Sequence, residues 1–254
     1  MSIPTQQEIT TMLLGPSGAG KSRTANNLLG NTVFSVGNGY TPITIKCKSR
    51  TGERFGTQLN VIDTPGIWGE EKEKKVLLDE IKNGLQKSNE GPLVFLLVTE
   101  MRRAVDVHKI FLRYQCLFGK NMFKYAIVLF TNLDVWKERY IDDIGIDPDE
   151  HQYIKSLPDE AMQLLRKCEN RYVLFDNKCT GDKMEKQLRN LVNEITQLIA
   201  LNKDEVFKEE RIDEKSDVPR RQDIDWKINV GTIAGIGTIA GIGTIAGLIL
   251  SKFL

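Results

Sequence analysis

The chain has little with which to build a metal centre or a disulfide framework. It holds four cysteines, Cys47, Cys116, Cys168 and Cys179, with no C-x-x-C pair, and only two histidines, His108 and His151. A zinc site is therefore not expected, and reduced thiols in a cytosolic domain are. An excess of one charge is also missing: 35 Lys and Arg face 34 Asp and Glu, a net of +1. Nothing global favours an anionic polymer, and no nucleic acid is expected as a partner. Residues Met1 to Thr5 lack a basic run leading into an apolar core, so no signal peptide is expected. Ser2 stands where N-myristoylation needs glycine.

What is present alternates between strand-like and helix-like patterns. Thr10–Leu14 reads as a strand running into a glycine-rich turn, and Lys21–Leu29 as a helix stopped by Gly30. Ile43–Ser49 and Gln58–Ile62 read as strands around a turn at Gly52. Glu71–Gln86 is a charged amphipathic helix, and Ala104–Leu117 is helical. The apolar runs Leu93–Val98 and Tyr125–Phe130 suit strands buried on both faces. Asp149–Glu169 and Lys183–Leu201 read as helices, with a short strand Arg171–Phe175 between them. This order predicts an α/β fold of the P-loop NTPase class, with a mostly parallel twisted sheet and helices on both faces. The expected organisation is a nucleotide-binding domain over 1–202, a charged linker or exposed helix over 203–227, and an apolar C-terminal helix over 228–250.

Gly15-Pro-Ser-Gly-Ala-Gly-Lys-Ser22 fits G-x-x-x-x-G-K-[ST] between a predicted strand and a predicted helix, the setting this motif requires. Glycines at 15, 18 and 20 let the backbone amides of Ser17, Ala19 and their neighbours wrap phosphates. The helix N-terminus adds partial positive charge. Lys21 reaches the β- and γ-phosphates and is a candidate catalytic group, and the Ser22 hydroxyl is a magnesium ligand. Arg23 and Ser35 are further candidates for nucleotide contact. Val61-Ile-Asp-Thr-Pro-Gly66 places Asp63 at a strand tip, where it can hold magnesium through water. The Gly66 amide can meet the γ-phosphate. A magnesium-binding threonine is needed between these motifs, and of Thr41 and Thr44 we favour Thr44.

Thr131-Asn-Leu-Asp134 follows a buried strand and fits the guanine-reading pattern [NT]-K-x-D loosely, with Asn132 in the lysine position. Asp134 can accept from guanine N1–H and the 2-amino group, a donor pair adenine lacks. A helix cap is the other reading of Asn132 and Asp134. Gly91–Val98, Phe118-Gly119, Tyr125–Thr131 and Asn170–Lys178, with Thr44, Cys47 and Asp63–Gly66, resemble the immunity-associated GTPases (the GIMAP, IAN or AIG-type family) over about residues 8–200. The resemblance implies GTP and GDP binding with Mg2+, a nucleotide-dependent homodimer or oligomer, and action at intracellular membranes. It also implies that Asn177 packs near the guanine and that a family box lies around Arg102–Gly119. Within that box Arg103-Ala-Val replaces the Arg-Phe-Thr or Arg-Tyr-Thr common in the family.

Ile67 occupies the place of the water-positioning glutamine of small GTPases, so slow hydrolysis, aided in trans, is expected. Arg103, or its neighbour Arg102, is the candidate finger into a partner's site. A non-hydrolysing assembly scaffold and an ATP-using P-loop enzyme are the alternatives. Ile228–Leu250 carries no charged residue, and Lys227 and Lys252 flank it. As a helix it would span about 34 Å, close to a bilayer's hydrocarbon thickness. A single-pass tail anchor with the nucleotide domain on the cytosolic face is the expectation. Its Gly-Thr-Ile-Ala-Gly-Ile repeat sets small residues four apart, but successive repeats are rotated by about 240°, which speaks against one continuous packing seam.

Overall fold

A computed structural model describes residues 8–37, 44, 46–66, 71–86, 91–203 and 205–208, with the side chains of 71–74 and 103–109 set aside. The expected tail anchor at 228–250, Thr41 and Ile67 lie outside the described residues. Among those described, no helix is long and apolar enough to cross a membrane.

The chain runs β1 (Ile9–Leu14), α1 (Lys21–Leu29), β2 (Lys48–Arg54), β3 (Thr57–Asp63), α2 (Glu71–Gln86), β4 (Leu93–Glu100), a 3-10 turn (Met101–Arg103) and α3 (Ala104–Phe118). A second 3-10 segment (Lys120–Tyr125) leads into β5 (Ala126–Thr131), α4 (Leu133–Ile144), α5 (Glu150–Lys155), α6 (Asp159–Lys167), β6 (Tyr172–Leu174) and α7 (Gly181–Leu201). The six strands are ordered β2-β3-β1-β4-β5-β6. All neighbours are parallel except β2 and β3, which form an antiparallel hairpin at the edge. The expected α/β P-loop fold with a mostly parallel sheet is therefore present.

Strand side chains alternate between two cores, as the period of two requires. Met12, Leu14, Phe95, Leu97, Val128 and Phe130 join α3 and α6 on one face. Leu13, Val94, Leu96, Val98, Ile127 and Leu129 join α1 and α7 on the other. Both faces are covered, which explains the unbroken apolar runs of β4 and β5.

Three expectations are corrected. The strand expected at Ile43–Ser49 begins at Lys48 and continues to Arg54, because Lys48–Arg54 is the stretch in register with Thr57–Asp63. Gly52 lies inside that strand, where Leu29 Cδ2 would be 3.0 Å from an added Cβ. The chain turns instead at Phe55 and Gly56, with φ of 50° and 76°. Two consecutive positive φ values suit a two-residue hairpin loop. The helix expected over Asp149–Glu169 is two helices, broken at Ser156–Pro158, since Pro158 disfavours helical backbone at Leu157. Helix α4 starts at Leu133, inside the base-reading motif, where the sequence pattern predicts no helix.

Candidate functional site

The sheet order sets the carboxyl end of β1 between those of β3 and β4, and the turn from β1 into α1 emerges there. Ligands of open α/β sheets bind outside such strand ends. Lys21, 6% exposed, lies under this turn, and its Nζ donates to the carbonyls of Gly15 at 3.1 Å and Pro16 at 2.9 Å. Burial pulls its pKa down to about 8, against the opposing pull of Asp63. Gly18 and Gly20 take φ of 82° and 92°, and Ala19 is buried. Thr131 Oγ1, at the end of β5, donates to the Ala19 carbonyl at 2.8 Å. Gly66 backs directly onto this loop: a Cβ there would lie 2.4 Å from the Ser17 nitrogen. Ser17 and Arg23 are half-buried.

Three of the expected magnesium ligands meet. Ser22 Oγ donates to Asp63 Oδ2 at 2.7 Å, Thr44 Oγ1 donates to the same oxygen at 3.3 Å, and the two hydroxyls are 3.3 Å apart. Asp63 is 1% exposed, and its Oδ1 has no hydrogen-bond partner among the described residues. Burial raises the Asp63 pKa, with the Ser22 hydrogen bond and the Lys21 charge pulling it back. A buried carboxylate with one oxygen unmatched is costly until a cation or donor meets it. Two hydroxyls and one carboxylate suit a hard, oxygen-seeking, partly hydrated ion such as Mg2+. Among the described residues no cluster of three or more His, Cys, Asp or Glu offers a softer metal site.

The base-reading residues lie beyond β5 and β6. Asn132 occupies the N-cap position of α4 in the left-handed region, φ 63°, without a side-chain cap bond, and Asp134 lies in the helix's first turn, so both residues stand at a helix start as the capping alternative expected. Asp134 Oδ2 accepts from Lys178 Nζ at 2.8 Å, while Oδ1 is buried with no partner among the described residues. Asn177 is 9% exposed. Its Oδ1 accepts from Thr24 Oγ1 at 3.2 Å and Asn27 Nδ2 at 3.0 Å, tying the loop after β6 to α1. Buried Asp176 shapes that loop by accepting from the Lys178 and Cys179 amides at 2.8 and 3.1 Å. The sequence does not single out Asp176 and Lys178 as parts of this site, and it places Thr131 in the base-reading motif without indicating its bond to the phosphate loop. The only local signal for Lys178 was its place next to Asn177.

Ser35 is exposed, and its segment is set by Asn26, whose Oδ1 accepts from the Val33 and Phe34 amides at 3.0 and 2.8 Å. Arg102 is exposed on the 3-10 turn, whose Met101 carbonyl accepts from Tyr153 at 2.8 Å. Arg103 ends that turn, and its side chain is outside the description.

Comparison with known proteins adds to this geometry. The sequence model of the AIG1 family matches residues 9–223. GTPase IMAP family member 8 of Mus musculus is 33% identical over 189 residues, covering 72% of this chain and 26% of that protein. The chain spans about a quarter of that relative's length, and 55–58% of several Arabidopsis thaliana immune-associated nucleotide-binding proteins it also matches. In structure it is similar to Toc33 from Arabidopsis thaliana in complex with GDP and Mg2+, with a TM-score of 0.59 at 23% identity, over 80% of this chain and 88% of that one. A structure described with the statement that dimerization is important for the GTPase activity of atToc33 and psToc159 has a TM-score of 0.56 at 19% identity, over 80% and 87%. At these identities the likeness concerns the fold.

Proposed function

The chain belongs to the AIG1 family, and from that premise we propose that it is a guanine-nucleotide switch that binds GTP and GDP with Mg2+. One observation carries this reading: buried Asp63 and half-buried Asp134 each keep one buried carboxylate oxygen with no hydrogen-bond partner among the described residues, at the phosphate and base ends of a single cradle. The backbone of Gly15–Ser22 would surround the phosphates, with Lys21 supplying charge. Ser22, Thr44 and Asp63 would hold the ion, which screens phosphate charge. Asp134 would accept from the guanine edge, and Lys178 holds its other oxygen in place. Gly66, packed on Ser17, is where a change at the γ-phosphate would reach the chain leading to α2.

The reading extends to a dimer that forms with GTP and hydrolyses it slowly. Ile67 leaves no glutamine to orient water, and Arg103 would act across the interface as a charge on the transferring phosphoryl group. What is stated of the Toc33 structures supports a link between dimerisation and turnover. The uncharged stretch 228–250 would anchor the protein to a membrane, with the nucleotide domain on the cytosolic side. If Arg103 has no such role, the chain is a GTP-dependent scaffold without turnover.

Competition of labelled GDP by GTP, ATP and XTP tests the base. Wild type should prefer GTP over ATP by at least about a hundredfold, and Asp134→Asn should shift preference toward XTP. Equal competition by ATP would overturn the reading in favour of an ATP-using enzyme. Single-turnover hydrolysis should accelerate with protein concentration and lose that dependence in Arg103→Ala. Absence of turnover at every concentration would leave the scaffold.

A further inference from the structure

Tyr114 sits in the C-terminal half of α3, fully buried. A phenol in an apolar core is costly unless its hydroxyl is matched. Here both matches fall on one residue of the phosphate loop. The Gly15 amide donates to the Tyr114 oxygen at 3.1 Å, and the hydroxyl in turn donates to the Gly15 carbonyl at 3.4 Å. That carbonyl is also an anchor of Lys21 Nζ, at 3.1 Å. Tyrosine hydroxyl and lysine ammonium therefore share one acceptor. Gly15 is confined on another side as well, since an added Cβ would lie 2.1 Å from the Val98 carbonyl oxygen of β4. Burial holds the phenol far above its ordinary titration range, so it stays neutral and keeps both donor and acceptor capacity.

We propose that Tyr114 is a positioning residue for the phosphate-binding lysine. It fixes the two peptide planes that flank Gly15, and through the Gly15 carbonyl it fixes the Lys21 ammonium where the β- and γ-phosphates of a bound nucleotide lie. The proposal rests on the nucleotide reading above. It predicts an effect on nucleotides that carry a β-phosphate and none on the monophosphate, because only phosphates beyond the first reach Lys21. Phenylalanine at 114 would keep the ring and its contact with Phe111, 6.0 Å away between centroids, and remove only the hydroxyl.

The test uses the full chain and measures GTP, GDP and GMP affinity for wild type, Tyr114→Phe and Phe111→Leu. Tyr114→Phe should weaken GTP and GDP about tenfold, the equivalent of one buried hydrogen bond, and leave GMP within about twofold. Tyr114→Met, which also lacks the hydroxyl, should give the same split, and it serves if the phenylalanine variant is unstable. In a Lys21→Met background the Tyr114→Phe effect should vanish. Phe111→Leu, a packing change in the same helix, should lower the melting temperature and leave the GTP-to-GMP affinity ratio unchanged. If wild type binds none of the three nucleotides, the site reading falls and this proposal with it. If wild type binds, and Tyr114→Phe and Tyr114→Met keep its GTP-to-GMP ratio or weaken all three nucleotides equally, only the assignment of Tyr114 falls.

Discussion

Lys21 carries an ammonium where water barely reaches, and its pKa is pulled from 10.5 to about 8 by burial. The unfolded chain keeps its proton up to the ordinary value, so between about pH 8 and 10.5 the unfolded state binds more protons than the folded one. Stability of the nucleotide-free protein therefore rises with pH across that window, by at most about 3 kcal/mol from this group. Lys21→Met removes the titration. The difference in melting temperature between wild type and Lys21→Met should thus move in favour of wild type from pH 7.5 to 9.5, and parallel profiles would overturn the argument. Saturating GTP should flatten the wild-type slope, because phosphate oxygens stabilise the charged amine. At this scale the sequence was most legible where the chemistry is local. Gly15 to Ser22 are contiguous, and the loop conformation follows from them. Tyr114 and Thr131 touch that loop from 99 and 112 residues away, and helical or strand periodicity reports their burial without revealing their polar partners.

The same contrast holds among the elements. Buried strands β4 and β5 were readable because both faces are apolar. Strand β2 was not, since it lies exposed at the sheet edge and has no apolar alternation to mark its ends. Its turn was assigned to Gly52, a glycine required by packing against Leu29, instead of Gly56, a glycine required by positive φ. Helix α4 is hidden because its start signal, Asn132 with Asp134 in the first turn, coincides with the base-reading motif. Gly84 on α2 offers a test at this scale. A Cβ at Gly84 would lie 2.7 Å from Cys47 Sγ and 2.8 Å from Cys47 Cβ. Alanine favours a helix interior by about 1 kcal/mol over glycine, but Cys47 Cβ is fixed to the backbone and cannot yield without moving its segment. That segment is also held to α2 by the Cys47 amide donating to Glu80 Oε1 at 3.1 Å, and it leads back to Thr44. Gly84→Ala should therefore raise the reactivity of the Cys47 thiol toward a disulfide reagent several-fold, resolved by peptide mass, and weaken Mg2+-dependent nucleotide binding. Unchanged thiol reactivity with a raised melting temperature would show that the helix gain wins.

Across the whole molecule, the sheet order concentrates function at one end and stability at the other. The carboxyl ends of β1, β3, β5 and β6 carry the phosphate loop, Asp63, Thr131 and the loop after Leu174. The other end is closed by residues expected to begin a solvated linker at 203. Phe207 is instead 8% exposed and packs edge-on against Phe95 and Tyr125, with centroids 5.1 and 5.4 Å away, and against Phe118 at 6.4 Å. Asn202 Nδ2 donates to the Lys124 carbonyl at 3.2 Å, and Lys124 pairs with Glu205 at 3.1 Å on the surface. The aromatic contacts dominate, because an exposed ion pair contributes little, whereas truncating a buried phenylalanine costs about 3–5 kcal/mol. A single aromatic within a charge-dense stretch gives no periodic signal, which is why its burial was not legible beforehand. Phe95 pairs with Met12 and Ala126, while the phosphate loop leaves β1 two residues beyond Met12 and the base-reading loop leaves β5 after Thr131. Phe207→Ala should therefore lower unfolding free energy in urea by about 3–5 kcal/mol and leave GTP affinity of the folded protein unchanged, while Lys124→Ala should cost under about 1 kcal/mol. A Phe207→Ala loss below about 1 kcal/mol would mean that the segment after α7 contributes nothing to the core. A parallel loss of GTP affinity would mean that the two ends of the sheet are coupled.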